Sequence, residues 1–152
     1  MSMGVVARGQ AEVFVDFHHA LLLETDNPRP DFVSDQPPGA LIVPLPRAGA
    51  RILTGLHTGG IAFTWTIHDA SPLAAAEATD QVDETDVYTS TGSWEVMGLT
   101  SDYSTAPPLI EAGPPGRYRV RVTYRNRDAE WDLSATLAIE TFHLDVWPAR
   151  AD

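Results

Sequence analysis

Apolar and polar residues alternate with a period of two along several stretches of the chain, the mark of strands with one buried and one solvated face. From Glu12 the pattern places Val13, Val15 and Phe17 on one side and Asp16 and His18 on the other. From Gly60 it turns Ile61, Phe63, Trp65 and Ile67 inward, with Ala62, Thr64, Thr66 and His68 outward. Residues 117–125 repeat it: Tyr118, Val120, Val122 and Tyr124 share one face, Arg117, Arg119, Arg121, Thr123 and Arg125 the other. The turn Gly113-Pro114-Pro115-Gly116 fixes where pairing of that strand begins. Over 136–147 the phase changes, because Leu137 and Ile139 are odd while Phe142, Leu144 and Val146 are even. One extra residue near Glu140 or Thr141, a β-bulge, accounts for the change.

Weaker strands are expected at 41–43, 51–56, 86–90 and 93–99, separated by proline-rich joints at 27–30, 36–39, 44–46 and 107–115. The one helical signal is 71–77, where Ser71 can cap and Pro72 take the first helical position. An extended acidic loop is the alternative there. No repeat or interdomain linker interrupts residues 1–152. Short strands with frequent turn signals predict an all-β fold, a single-domain antiparallel β-sandwich with Pro/Gly-rich loops and at most one short helix.

Composition narrows the function classes. The chain has 152 residues, 11 glycines, 12 prolines, no cysteine and a net charge of −11. All ten basic residues are arginine. An acidic chain repels the phosphate backbone and the anionic membrane surface, so neither nucleic acid nor membrane is an expected partner. No apolar run approaches the roughly 20 residues of a membrane helix. Residues 1–9 lack the charged-then-apolar layout of a secretion signal, which points to a cytoplasmic protein. The missing cysteines remove disulfides, thiolate metal sites and cysteine nucleophiles together.

The charge is unevenly placed. Residues 1–51 and 117–152 carry nets of −2 and zero, whereas 52–116 hold nine acids and no base. Asp80, Asp83, Glu84 and Asp86 form the densest acidic cluster and are the candidate docking residues for a basic protein partner. The alternative is a solvated loop. The cluster lacks the alternating acids and central glycine of an EF-hand loop. The arginine stripe Arg117, Arg119, Arg121, Arg125 and Arg127 is read as structural, not as an anion or nucleic-acid face: Asp128, Glu130, Asp132, Glu140 and Asp145 follow it, and these acids stand opposite as cross-strand ion pairs if the last strand pairs with the arginine strand.

Signals for catalysis are absent. His18, His19, His57, His68 and His143 match no metal-ligand spacing, so no metal and no cofactor are expected. Ser71 and Ser93 lack nucleophile-elbow glycines, and Gly59-Gly60 precedes a strand rather than a phosphate-binding helix. No catalytic residue is assigned.

The segments Gly116-Arg117-Tyr118-Arg119-Val120-Arg121-Val122, Arg125-Asn126-Arg127-Asp128, Glu140 and Val146-Trp147-Pro148-Ala149 resemble the ends of a group of bacterial proteins from GC-rich genomes. Those chains close G-x-Y-R-V-R-V, x-R-x-R-D, an acidic stretch and E-x-x-x-x-x-x-W-P-A. The resemblance covers about the last 40 residues and implies a compact β-sandwich with no established activity. Members carry glycine at the place of Asn126 and a Trp–Glu pair before the strand at 86–90, where this chain reads Asp83-Glu84-Thr85-Asp86. In overall layout, not in any motif, the chain is also similar to the competence-associated nuclease inhibitors, which are small acidic sandwiches.

Three functions are therefore set against one another. The first is a non-enzymatic acidic binding protein of the immunity or nuclease-inhibitor type. The second is a small-molecule or carbohydrate-binding sandwich, with Trp131, between Glu130 and Asp132, as the exposed stacking platform and Trp65 in the core. The third is a metal-dependent enzyme built on His57, His68 and Asp69. The oligomeric state is left open, because an edge strand capable of pairing is not identifiable from the pattern.

Overall fold

The computed structural model describes residues 4–24, 41–72, 81–98, 107–127 and 133–149, with backbone alone over 135–139. Strands β1 (Val5–Val15), β2 (His19–Leu23), β3 (Ile42–Pro44), β4 (Ala50–Leu53) and β5 (Thr58–His68) occupy the first half. Strands β6 (Gln81–Thr89), β7 (Ser93–Gly98), β8 (Leu109–Glu111), β9 (Gly116–Arg125) and β10 (Ser134–Pro148) occupy the second. They form two five-stranded sheets, in the orders β1-β5-β10-β9-β6 and β3-β4-β2-β7-β8. The all-β sandwich expected from the pattern is the fold found. No helix among the described residues is long and apolar enough to cross a membrane.

One apolar core lies between the sheets. The inward residues of β5 and β9 join Phe142, Leu144 and Val146 of β10 on one side, and Leu22, Ile52, Trp94, Val96 and Ile110 on the other. Aromatic edges lock it: Phe142 meets Phe63 at 4.9 Å and Tyr124 at 4.3 Å between ring centres, both edge-on. Each fully buried side chain of this size contributes about 1.5–3 kcal/mol.

The sheets depart from the expected pattern in four places. Strand β10 is antiparallel to β9 but parallel to β5, so the first sheet is mixed. On β10 Leu137 stands opposite Gly60 and Thr141 opposite Ala62, so the irregularity near Glu140 is larger than one inserted residue. Strand β2, which the alternation does not reveal, is buried at all five positions. A strand covered on both faces reads as a plain apolar run. Strand β6 begins at Gln81, ahead of the expected 86–90, and its acids lie in the ladder. Of the expected helix 71–77, only Ser71 and Pro72 fall among the described residues, and neither is helical.

Phe17 and His18 form a turn, not the continued strand the alternation suggests. Both take the left-handed backbone region, with φ of 53° and 63°. This carries the chain from the first sheet to the second, where Asp16 bridges to His19. Non-glycine residues in that region cost of order 1 kcal/mol each, and surrounding bonds must hold them. Thr54 N donates to His18 O at 2.8 Å and His18 N to His57 O at 3.2 Å. His18 Nδ1 donates to the Thr54 carbonyl at 2.9 Å.

Candidate functional site

The solvent face of the first sheet carries its polar chemistry. Register places Glu84 beside Arg121, Arg121 beside Asp145, Asp145 beside Thr66 and Thr66 beside Arg8, one rank across all five strands. The β6 end of that rank is an ion-pair ladder. Arg119 Nε donates to Glu84 Oε1 and Arg121 Nε to Glu84 Oε2, each at 2.9 Å. Arg119 also reaches Asp86 Oδ1 at 2.9 Å. The Arg121 guanidinium stacks 4.9 Å from the centre of the Trp147 ring. Burial works against the Glu84 carboxylate, but the hydrogen bonds from both arginines outweigh it and hold its pKa below the usual value.

Toward β1 the face changes character. The outward residues of β5 are small (Ala62, Thr64 and Thr66), while Arg8 and Gln10 of β1 and His143 of β10 stand taller on either side. The result is an open trough of about 420 Å³ lined by Arg8, Gly9, Gln10, Thr64, Trp65, Thr66 and His143. Gly9 is required beneath it, because a Cβ there would lie 2.3 Å from the Trp65 ring. On the far wall, Asp145 Oδ1 accepts from His68 Nε2 at 2.8 Å and lies 3.2 Å from His143 Nε2. His143 Nδ1 lies 2.7 Å from the Thr64 hydroxyl. Burial raises the Asp145 pKa, yet the bonds from His143 and His68 bring it below the usual range. Such an arrangement can bind a polar group through Arg8, the imidazole and the threonine hydroxyls.

Buried carboxylates brace the loops around this face. Glu140 is fully buried and accepts Gly55 N at 3.0 Å and Leu56 N at 2.8 Å, clamping the β4–β5 loop. Glu24 accepts both the backbone N and the hydroxyl of Ser90, at 2.9 and 2.7 Å, where β6 crosses to β7.

No protein-family model and no curated protein sequence matches the chain. Two solved structures share its fold. One is ComJ from Bacillus subtilis, an inhibitor of the DNA-degrading activity of NucA, with a TM-score of 0.58 at 12% identity. That likeness covers 98% of this chain and 100% of the other. The second is the product of crocagin biosynthetic gene J, with a TM-score of 0.60 at 14% identity over 95% of this chain and 100% of that one. At such identities the likeness establishes the fold alone.

Of the four clustered acids the structure describes Asp83, Glu84 and Asp86, and it gives each a different setting instead of leaving them as one patch. Asp83 points inward and accepts Leu41 N at 2.9 Å and Ile42 N at 3.3 Å, tying β6 to the second sheet. Glu84 spends both oxygens on arginine. Among the described residues Asp86 bonds through Oδ1 alone, and its side chain is 45% exposed. Asp80 lies outside the described residues, as does Trp131. Val82 and Tyr88, 42% and 45% exposed, flank Glu84 and Asp86 on the same face of β6 and were not singled out by sequence.

The arginine stripe finds its acids on a different strand from the one expected. Asp145 does stand opposite Arg121 in register, but Arg119 and Arg121 bond to β6 and Asp145 to the two histidines. Arg117 and Arg125 stand opposite Tyr88 and Thr141. The proposed trio His57, His68 and Asp69 does not converge: His57 precedes β5 and His68 ends it, roughly 30–35 Å away along an extended strand. No group of three or more potential metal ligands occurs among the described residues. Trp65, Trp94 and Trp147 are buried, Trp65 as part of the trough lining and Trp147 beneath Arg121.

Proposed function

We propose that this protein is a non-enzymatic binding protein of the nuclease-inhibitor or immunity type, acting in the cytoplasm and docking a basic protein along β6. The observation that carries this reading is the solvent side of that strand. Val82, Glu84, Asp86 and Tyr88 alternate there, on an edge strand of the sheet and within a 65-residue segment that contains no base. Exposed Tyr88 and Val82 offer apolar anchors, and the uncommitted Asp86 oxygen offers an acceptor to an incoming cation. The fold shared with ComJ supports the reading, while the crocagin protein shows the same scaffold in a biosynthetic setting.

The test is retention of basic proteins from native lysate on the immobilised chain at low and high salt. Retention at low salt is expected, with loss at high salt and in the double variant Asp86→Asn, Tyr88→Ala. A captured nuclease should lose DNA-degrading activity when the protein is added in excess. If no basic protein is held at low salt, or if the double variant holds it equally well, the reading fails.

The trough supports a second reading, a site for a small polar molecule, since its volume lies in the range of small-molecule pockets. Thermal shift against a panel of small carboxylates, phosphates and sugars tests it. A panel without any shift that is lost in Thr64→Val removes it.

A further inference from the structure

Strand β1 closes the other end of the first sheet and pairs only with β5 among the described residues. Eleven residues long, it has no second strand beside it among the described residues, the situation that invites pairing with another chain. From Ala7 onward its register with β5 is regular, and the solvent-facing positions there read Arg8, Gln10, Glu12 and Phe14, all exposed. Neither Arg8 nor Glu12 makes an ion pair among the described residues.

This order is self-complementary when reversed. An antiparallel copy paired with Gln10 opposite its own equivalent places Arg8 against Glu12 of the second copy and Glu12 against Arg8 of the second copy. We infer that β1 is a self-association edge, joining two copies about a twofold axis at Gln10 into one ten-stranded sheet. The axis makes the contact isologous, so it closes at a dimer. A slip of one residue sets the solvent face of one strand against the core-facing side of the other, and a slip of two sets Arg8 against Phe14; only this register satisfies both charges. The two β6 edges are left at the far ends of the joined sheet, so the dimer presents two docking strands.

The test uses charge reversal and analytical ultracentrifugation of the whole chain. The unsubstituted protein is expected to dimerise at micromolar concentration. Arg8→Glu and Glu12→Arg each set like charges opposite twice and should weaken the dimer about 10- to 100-fold. Mixed together, the two variants restore opposite charges at both positions and should form a heterodimer, and the double variant Arg8→Glu, Glu12→Arg should regain the homodimer. Circular dichroism of each variant confirms folding. A protein that stays monomeric at its highest soluble concentration overturns the inference. So do single variants that dimerise as the parent does, or a mixture and double variant that fail to recover.

Discussion

The two edges of the first sheet carry similar chemistry and meet opposite fates. Both β1 and β6 carry two charged residues beside exposed apolar ones on the solvent face. On β6 the acids are answered within the molecule, because β9 beside it offers Arg119 and Arg121 in register. On β1 the charges meet no opposite charge among the described residues, because β5 beside it offers Ala62, Thr64 and Thr66. The neighbour's outward residues, not the strand's own composition, decide whether an edge charge becomes a structural bond or a contact for another molecule.

The largest disturbance removes the buried brace between β10 and the β4–β5 loop, which lies under neither edge. Glu140→Ala leaves the N–H groups of Gly55 and Leu56 buried without an acceptor. Each orphaned donor costs about 1–3 kcal/mol, so a loss of about 3–5 kcal/mol is expected in urea denaturation. A loss below about 1 kcal/mol would show that water or another group replaces the carboxylate.

Next comes the ladder itself. Arg121 is mostly covered, stacks on Trp147 and shares Glu84 with Arg119. Arg121→Ala should cost about 1–3 kcal/mol, more than an isolated surface pair, because it removes packing as well as charge. If Arg121→Ala is neutral, the β6 edge is no better anchored than β1 and the contrast disappears.

Acid should dismantle the molecule in two stages. His19 is buried beside Arg51, and burial lowers its pKa from 6.5, so the fold favours the neutral ring. Below pH 6.5 the unfolded chain binds that proton more readily, and stability declines until His19 titrates in the folded state. Glu84 and Asp145 have folded pKa values below 4.5 and 3.8, so their contribution is complete above those values and lost as pH falls through the depressed ones. Thermal melts of His19→Gln should flatten the upper limb and those of Glu84→Gln the lower. A single limb unchanged by either variant would contradict the assignment.

Legibility in the sequence follows the same division. Strands β5 and β9 were readable because each has one wet and one dry face, so Phe63 and Val120 stand out against Thr64 and Arg121. Strand β2 was not, since both its faces are covered and Leu21 and Leu22 are buried alike. The start of β6 was hidden because Gln81 to Asp86 has the composition of a loop and becomes a strand only where the arginines of β9 meet it. Pairing of the arginine strand with the last strand was legible because the two are consecutive, but the partner that Arg121 bonds, Glu84, comes from an earlier strand on the other side. The trough could not be anticipated, because the parallel pairing of β5 with β10 brings Thr64 to His143 across 79 residues of chain.

The smallest expected effect is also the most discriminating. In dilute solution, where any dimer has dissociated, Arg8→Ala should change folding stability by no more than about 0.5 kcal/mol, as for a solvated charge. Arg119→Ala, at a residue about as exposed as its partners Glu84 and Asp86, should cost somewhat more, about 0.5–1 kcal/mol. At high concentration the order should reverse for Arg8, whose removal then lowers the melting temperature by uncoupling the dimer, while the cost at Arg119 stays constant. Equal costs for Arg8 and Arg119 in dilute solution would mean that β1 charges are satisfied inside one chain, and the distinction between the edges would fall.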